Sequence, residues 1–127
     1  MDYMLVSVVI WYYHLSTTLE MTLYHKTPPQ MIILAIIAKS RDGLTIKDVA
    51  SYLSYLHKHG IDTGYQVNGN RYGVGVSKEI LLDVNMLKLM NLVKEENGKL
   101  IASDKAYVVL KKYAEHDSII RSILEKL

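Results

Sequence analysis

Residues 71–102 read RYGVGVSKEILLDVNMLKLMNLVKEENGKLIA, and this stretch of the 127-residue chain decides the fold. Ser77 is a favourable helix N-cap, because its hydroxyl can accept a hydrogen bond from a free backbone N–H of the first helical turn. The residues that follow at helical spacing, with Leu81 widening the stripe, form one largely apolar face: Ile80, Val84, Leu87 and Asn91. The pattern predicts an amphipathic helix that ends near Met90 or Asn91.

Two short runs after this helix, 92–95 and 99–102, flank Asn97 and Gly98. Asn-Gly is the strongest short signal for a β-hairpin, because both central residues of the turn tolerate positive φ. A helix followed at once by a two-stranded hairpin is typical of a winged helix, in which the helix is the recognition helix and the hairpin is the wing. We therefore expect a winged helix-turn-helix, a mainly α fold with a small β-hairpin wing.

The chain before this stretch supplies the first half of a helix-turn-helix. The prolines at 28 and 29 stop the preceding element, and the second can begin a buried helix over residues 30–39. A turn at Arg41-Asp42-Gly43 follows, and Thr45 caps the next helix with Asp48 three residues on. Gly60 closes that helix. A helix, a short turn with glycine and a capped helix are typical of this motif.

Two further segments lie around the predicted recognition helix. Residues 61–76 are irregular and glycine-rich, and Asn68-Gly69-Asn70 favours a second small hairpin. After the wing, Ser103 caps another helix, which Asp117-Ser118 either interrupt or follow along its exposed face. The C-terminal helical segment, 103–127, ends in an apolar stripe whose spacing resembles a short dimerisation helix: Ile119, Ile120, Ile123, Leu124 and Leu127.

One run inside the opening stretch combines Tyr72-Gly73, Ser77, Glu79-Ile80, Asp83, Leu87 and the exit Leu92-Val93. This run resembles the Tyr-Gly-x-x-Ser-x-Glu-Leu segment, Asp-x-x-x-Leu spacing and Gly-Leu-Ile/Val exit of many small archaeal and bacterial winged-helix proteins. Antitoxin-associated domains of the Panacea/SocA type show a similar run. The chain has Val74-Gly75 where that pattern has Gly-Pro, and Asn91 where it has the glycine before the wing. The resemblance implies the winged-helix fold and leaves the particular function open.

The most hydrophobic run is YMLVSVVIWYYHL, residues 3–15, within an apolar N-terminal extension, 1–26. It is too short to span a bilayer as a helix, which needs about 20 residues, and it lacks the basic region and cleavage site of a secretory signal. Its composition suits a strand or an all-round buried helix, and a helix is favoured because the segment that follows looks helical. The run is too apolar to be left in water, so we expect it to pack on its own domain or on a second copy.

Composition places the chain among single-domain proteins, 1–127, with half of its residues hydrophobic. It has no cysteine, which excludes disulfides, thiolate metal sites and cysteine nucleophiles and is compatible with the reducing cytoplasm. The 15 basic and 13 acidic residues give a net charge of +2. Domains that bind DNA tightly without sequence preference are usually more basic.

The predicted function is DNA binding by a small dimeric transcriptional regulator, because a helix-turn-helix dimer presents one reading helix to each half-site of double-stranded DNA. Lysines meet phosphates, and Asn85 can bind an adenine edge through two hydrogen bonds. The major-groove candidates are Ser77, Lys78, Asn85 and Lys88. The phosphate candidates are Arg71 before the helix, Lys94 and Lys99 in the wing, and Lys39, Arg41 and Lys47 around the first turn.

The alternative function is a winged-helix module for protein–protein contacts, antitoxin-like or adaptor, that does not read DNA directly. Leu82, Met86 and Leu89 lie on the helix face away from the buried stripe. They suit a partner protein, or the N-terminal run folding over them. Glu95 and Glu96 make the wing locally acidic, which also favours this alternative. A third option, peripheral membrane attachment through residues 3–15, is weaker.

No pattern in the chain indicates catalysis, a metal or a cofactor. It lacks a nucleophile elbow, a P-loop, a dinucleotide fingerprint and a zinc-protease motif. His57 and His59 are two residues apart, so on a helix they point to opposite sides and cannot chelate together. We expect that the protein is not an enzyme.

Overall fold

Helix α1 (Pro29–Ala38) lies at the centre of the protein, because it is apolar on every side. The computed structural model describes residues 27–65 and 76–125. Within these residues, every side chain from Met31 to Ala38 is buried. Helix α1 packs against the four other helices and against one strand of the hairpin. Each large apolar side chain buried in this way contributes about 1.5–3 kcal/mol, so this helix dominates the core.

Two capped helices follow α1, as the sequence predicts. Helix α2 (Ile46–Lys58) begins with a capping box, in which Thr45 accepts from the Asp48 N–H and Asp48 accepts from the Thr45 N–H. Helix α3 (Lys78–Leu89) begins at Ser77, whose hydroxyl accepts from the Ile80 N–H. These side chains satisfy backbone donors that the first helical turn leaves free.

Two residues of the predicted apolar face of α3 lie elsewhere. Leu81 is 43% exposed rather than buried. Asn91 is exposed beyond the end of the helix, in the left-handed region with φ of 58°. The remaining residues of that face, Ile80, Val84 and Leu87, are buried against the core. Asparagine tolerates this backbone conformation better than most residues, so it can occupy the position where the resembling pattern has glycine.

The hairpin consists of β1 (Val93–Glu96) and β2 (Lys99–Ala102), paired antiparallel around Asn97-Gly98. Both turn residues have positive φ, 52° and 76°, as the Asn-Gly signal predicts. Leu44, just before α2, forms an isolated bridge to Leu100 through two backbone hydrogen bonds. The order helix, bridge, helix, helix, hairpin is compatible with a winged-helix arrangement, and the predicted mainly helical fold with a small hairpin is confirmed.

The C-terminal segment forms two helices, α4 (Asp104–Ala114) and α5 (Ser118–Glu125). Asp117 lies between the two helices. Its buried carboxyl group accepts hydrogen bonds from the Ile120 N–H and from the Thr27 hydroxyl. The C-terminal apolar residues that were predicted to mediate dimerisation pack mainly within the chain. Ile120 and Ile123 are fully buried in the core, and Ile119 and Leu124 are partly buried against it. The segment 103–127 thus completes the core around α1.

Several predictions lie outside the described residues: the form of residues 3–15, the second hairpin around Asn68-Gly69-Asn70, and the position of Arg71. Leu127 is outside them as well. Among the helices that are described, none is both long enough and apolar enough to cross a membrane.

Candidate nucleic-acid interface

Helix α3 exposes two stripes of different chemistry. The first, which we call the polar stripe, consists of Lys78, Leu81, Asn85 and Lys88, spaced three or four residues apart. The second, the apolar stripe, consists of Leu82, Met86 and Leu89. Residues at this spacing share one side of a helix. The two stripes therefore run side by side on the side of α3 that is turned away from the core.

The polar stripe borders a cleft of about 220 Å³ between α3 and the hairpin. Asn85 and Lys88 line it from the helix, and Glu95 and Gly98 line it from the hairpin. The apolar residues of the cleft are Ile46 at the start of α2, Leu81, Val84 and Leu100. Three elements that are distant in sequence thus meet at one surface, which the local sequence pattern did not predict.

Four of the predicted DNA contacts are exposed cations: Arg41, Lys47, Lys78 and Lys99. None of them forms an ion pair with another residue of 27–65 or 76–125. Lys47 follows Ile46 of the cleft, and Lys99 lies beside the turn at Gly43. Asn85 is also exposed. Lys47 and Lys99 therefore adjoin residues of the cleft, and Lys78 lies on the helix that forms one side of it.

The other two cations of the predicted helix and wing are paired. The Lys88 ammonium donates to the Glu95 carboxylate, which connects α3 to β1 across the cleft. Lys94 pairs with Glu96 on the hairpin at 3.0 Å. Each lysine therefore has a carboxylate beside it, with which a phosphate would compete. The sequence shows these glutamates but not their partners.

Lys39 and Ser77 use their polar atoms within the protein. The Lys39 ammonium donates to the Ile123 carbonyl at 2.8 Å, and so connects the end of α1 to α5. Burial lowers the pKa of Lys39 below its ordinary value. The Ser77 hydroxyl serves as the cap of α3. Both were predicted to bind DNA, and the structure gives both a structural role.

A half-buried hydrogen-bond cluster fixes α3 on the core. Asp83 accepts from the Gln30 amide of α1 at 3.0 Å and from the Tyr65 hydroxyl at 2.5 Å. Burial, followed by the hydrogen bond to Asp83, raises the pKa of the Tyr65 hydroxyl well above its ordinary value. Asp83 therefore holds α3 against both the first helix and the loop that precedes α3.

The described residues contain no group of three or more histidine, aspartate and glutamate side chains that could hold a metal ion. In comparisons with known proteins, no family model, no curated protein and no solved structure matches this chain.

Proposed function

We propose that this protein is a winged helix-turn-helix protein that binds double-stranded DNA through the polar stripe of α3, the start of α2 and the hairpin. The observation that carries the proposal is a set of four exposed cations on α3, on the hairpin and at the start of α2 or just before it, none of which forms an ion pair within residues 27–65 and 76–125: Arg41, Lys47, Lys78 and Lys99. DNA presents a dense array of phosphates, so exposed cations of this kind supply a large share of the affinity for it.

The proposed contacts divide into anchoring and reading. Lys47, at the first turn of α2, and Lys99, on the hairpin, contact phosphates on either side of the groove. Lys78, in the first turn of α3, and Arg41, in the turn before α2, contact further phosphates, and Asn85 enters the major groove. Asn85 is the polar residue of α3 best suited to read a base, because its amide can bind both edge atoms of adenine.

The same cleft gives specific support to a second candidate function, the binding of a protein partner. Its lining includes Ile46, Val84 and Leu100 together with the paired charges of Lys88 and Glu95. A cleft with apolar residues at its base and ion-paired side chains at its edge is typical of a site that accepts a side chain of a partner protein. A partner bound there would use the cleft without any contribution from the free lysines.

Titration of the full chain with a fluorescently labelled duplex at several salt concentrations tests the proposal. Four phosphate contacts predict that the logarithm of the binding constant falls with the logarithm of salt concentration with a slope of about −3.6 per chain. A slope near zero, or no binding at low salt, would contradict DNA binding and leave the protein-partner function in its place.

A further inference from the structure

The apolar stripe of α3 is a concentrated hydrophobic surface. Leu82 is 64% exposed, Met86 44% and Leu89 67%. Single exposed apolar side chains are ordinary on a protein surface, but a contiguous group on one helix face marks a contact site. The polar stripe accounts for the proposed DNA contacts, so the apolar stripe requires an occupant of its own.

We propose that this occupant is residues 3–15 of the same chain. The run YMLVSVVIWYYHL contains no charged residue, and Ser7 and His14 are its only side chains that are neither aliphatic nor aromatic, apart from the thioether of Met4. A segment of this composition gains free energy by leaving water. The apolar stripe offers it a surface of matching chemistry.

The chain reaches α1 close to this surface. Thr27 donates to Asp117, and Gln30 donates to Asp83 of α3 at 3.0 Å. Asp83 directly follows Leu82 in α3 and lies one turn before Met86. The described chain therefore begins three residues before a contact with the middle of α3, the part of the helix in which the apolar stripe also lies.

The intervening chain is long enough for the contact. Residues 16–26 connect the run to Thr27, and an extended chain of this length spans about 40 Å. Helix α3, with 12 residues, is about 18 Å long. A short tether gives the segment a local concentration in the mM range, so docking within one chain is favoured over docking on a second copy.

Asn85 and Lys88 line the cleft, whereas Leu82, Met86 and Leu89 do not, so this contact leaves the cleft itself open. The proposal consequently does not depend on DNA binding. It holds whether the cleft binds DNA, a protein partner or neither.

Trp11 is the single tryptophan of the chain and lies within the proposed occupant, so its fluorescence reports the contact directly. In the full chain we expect Leu82→Gln combined with Leu89→Gln to shift Trp11 emission to longer wavelength and to increase its quenching by iodide. The control is Val108→Gln on α4, since Val108 is also 67% exposed. Equal emission and quenching in all three proteins would overturn the proposal.

Photo-crosslinking separates docking within one chain from docking on a second copy. The chain has no cysteine, so Met86→Cys carries a single benzophenone-maleimide label, and Val108→Cys is the labelled control. We expect label at position 86, and not at position 108, to capture residues 3–15 in a product of monomer mass. Capture in a product of dimer mass, or no capture of residues 3–15, would contradict the proposal.

Discussion

Lys88 of α3 and Glu95 of β1 form an ion pair across the cleft that separates α3 from the hairpin. The pair neutralises one of the lysines expected to contact DNA. It also places a carboxylate on the surface where phosphates would lie. In the proposed complex with DNA, the effect of this pair on affinity is therefore opposite to that of the exposed Lys78 and Lys99.

Glu95→Gln should strengthen DNA binding, because it removes this carboxylate and releases Lys88. The salt slope should become steeper by about one unit, the value of one added phosphate contact. Fluorescence anisotropy with a labelled duplex measures both quantities. Glu115→Gln, which removes one negative charge from the exposed end of α4, is the matched control. If both variants gain affinity equally, only net charge matters and Lys88 plays no part.

Gly43 should be more sensitive to substitution than Gly60, although both have positive φ, 91° and 81°. A Cβ atom added at Gly43 would lie 2.9 Å from the Lys99 Cβ, whereas one at Gly60 would meet nothing within 4 Å. Gly60→Ala should cost about 1–2 kcal/mol of stability through backbone strain alone. Gly43→Ala should cost about 1–3 kcal/mol more, because the hairpin must move. Equal losses in urea unfolding would show that the turn and the hairpin are not in close contact.

Tyr65→Phe should destabilise the fold by about 1–3 kcal/mol at neutral pH, because it removes the hydrogen bond to Asp83 in a buried site. Tyr55→Phe is the control, since that side chain is exposed. Chemical unfolding followed by circular dichroism measures both. A Tyr65→Phe variant as stable as the parent would mean that the Asp83 cluster does not hold α3 in place.

The same tyrosine predicts how stability depends on pH. The folded protein raises the pKa of Tyr65 above its value of about 10 in the unfolded chain. Its contribution to stability is complete below pH of about 10 and is lost as the pH rises further. The free energy of unfolding should therefore fall above this pH, and less steeply in Tyr65→Phe. Parallel curves for the two proteins would exclude this linkage.

Local signals in the sequence predicted the elements well. Thr45, Ser77 and Ser103 each cap the helix assigned to them, and Asn97-Gly98 forms the hairpin turn. Each of these features depends on residues within four positions of one another, so composition and spacing suffice. The apolar run at residues 30–39 likewise predicted a buried helix, and α1 is buried from Met31 to Ala38.

The arrangement of the charges was not predictable in the same way. Lys39 reaches Ile123, and Lys88 reaches Glu95 on the following strand. Leu81 borders a cleft instead of the core. These outcomes depend on where separate elements pack, and periodicity within one helix carries no information about that packing. The sequence identified the helix that carries the candidate interface and overestimated the number of free cations on it.

The most direct test of the DNA-binding account compares two double variants of equal net charge. Lys47→Ala with Lys78→Ala removes two free cations from the proposed interface, and Lys111→Ala with Lys112→Ala removes two exposed lysines from α4. Binding to a labelled duplex over salt concentrations of about 50–200 mM gives the affinity and the slope for each. The account predicts that the first variant binds more weakly than the parent with a slope shallower by about two units, while the second binds like the parent. Unchanged affinity in the first variant, or equal losses in both, would contradict it.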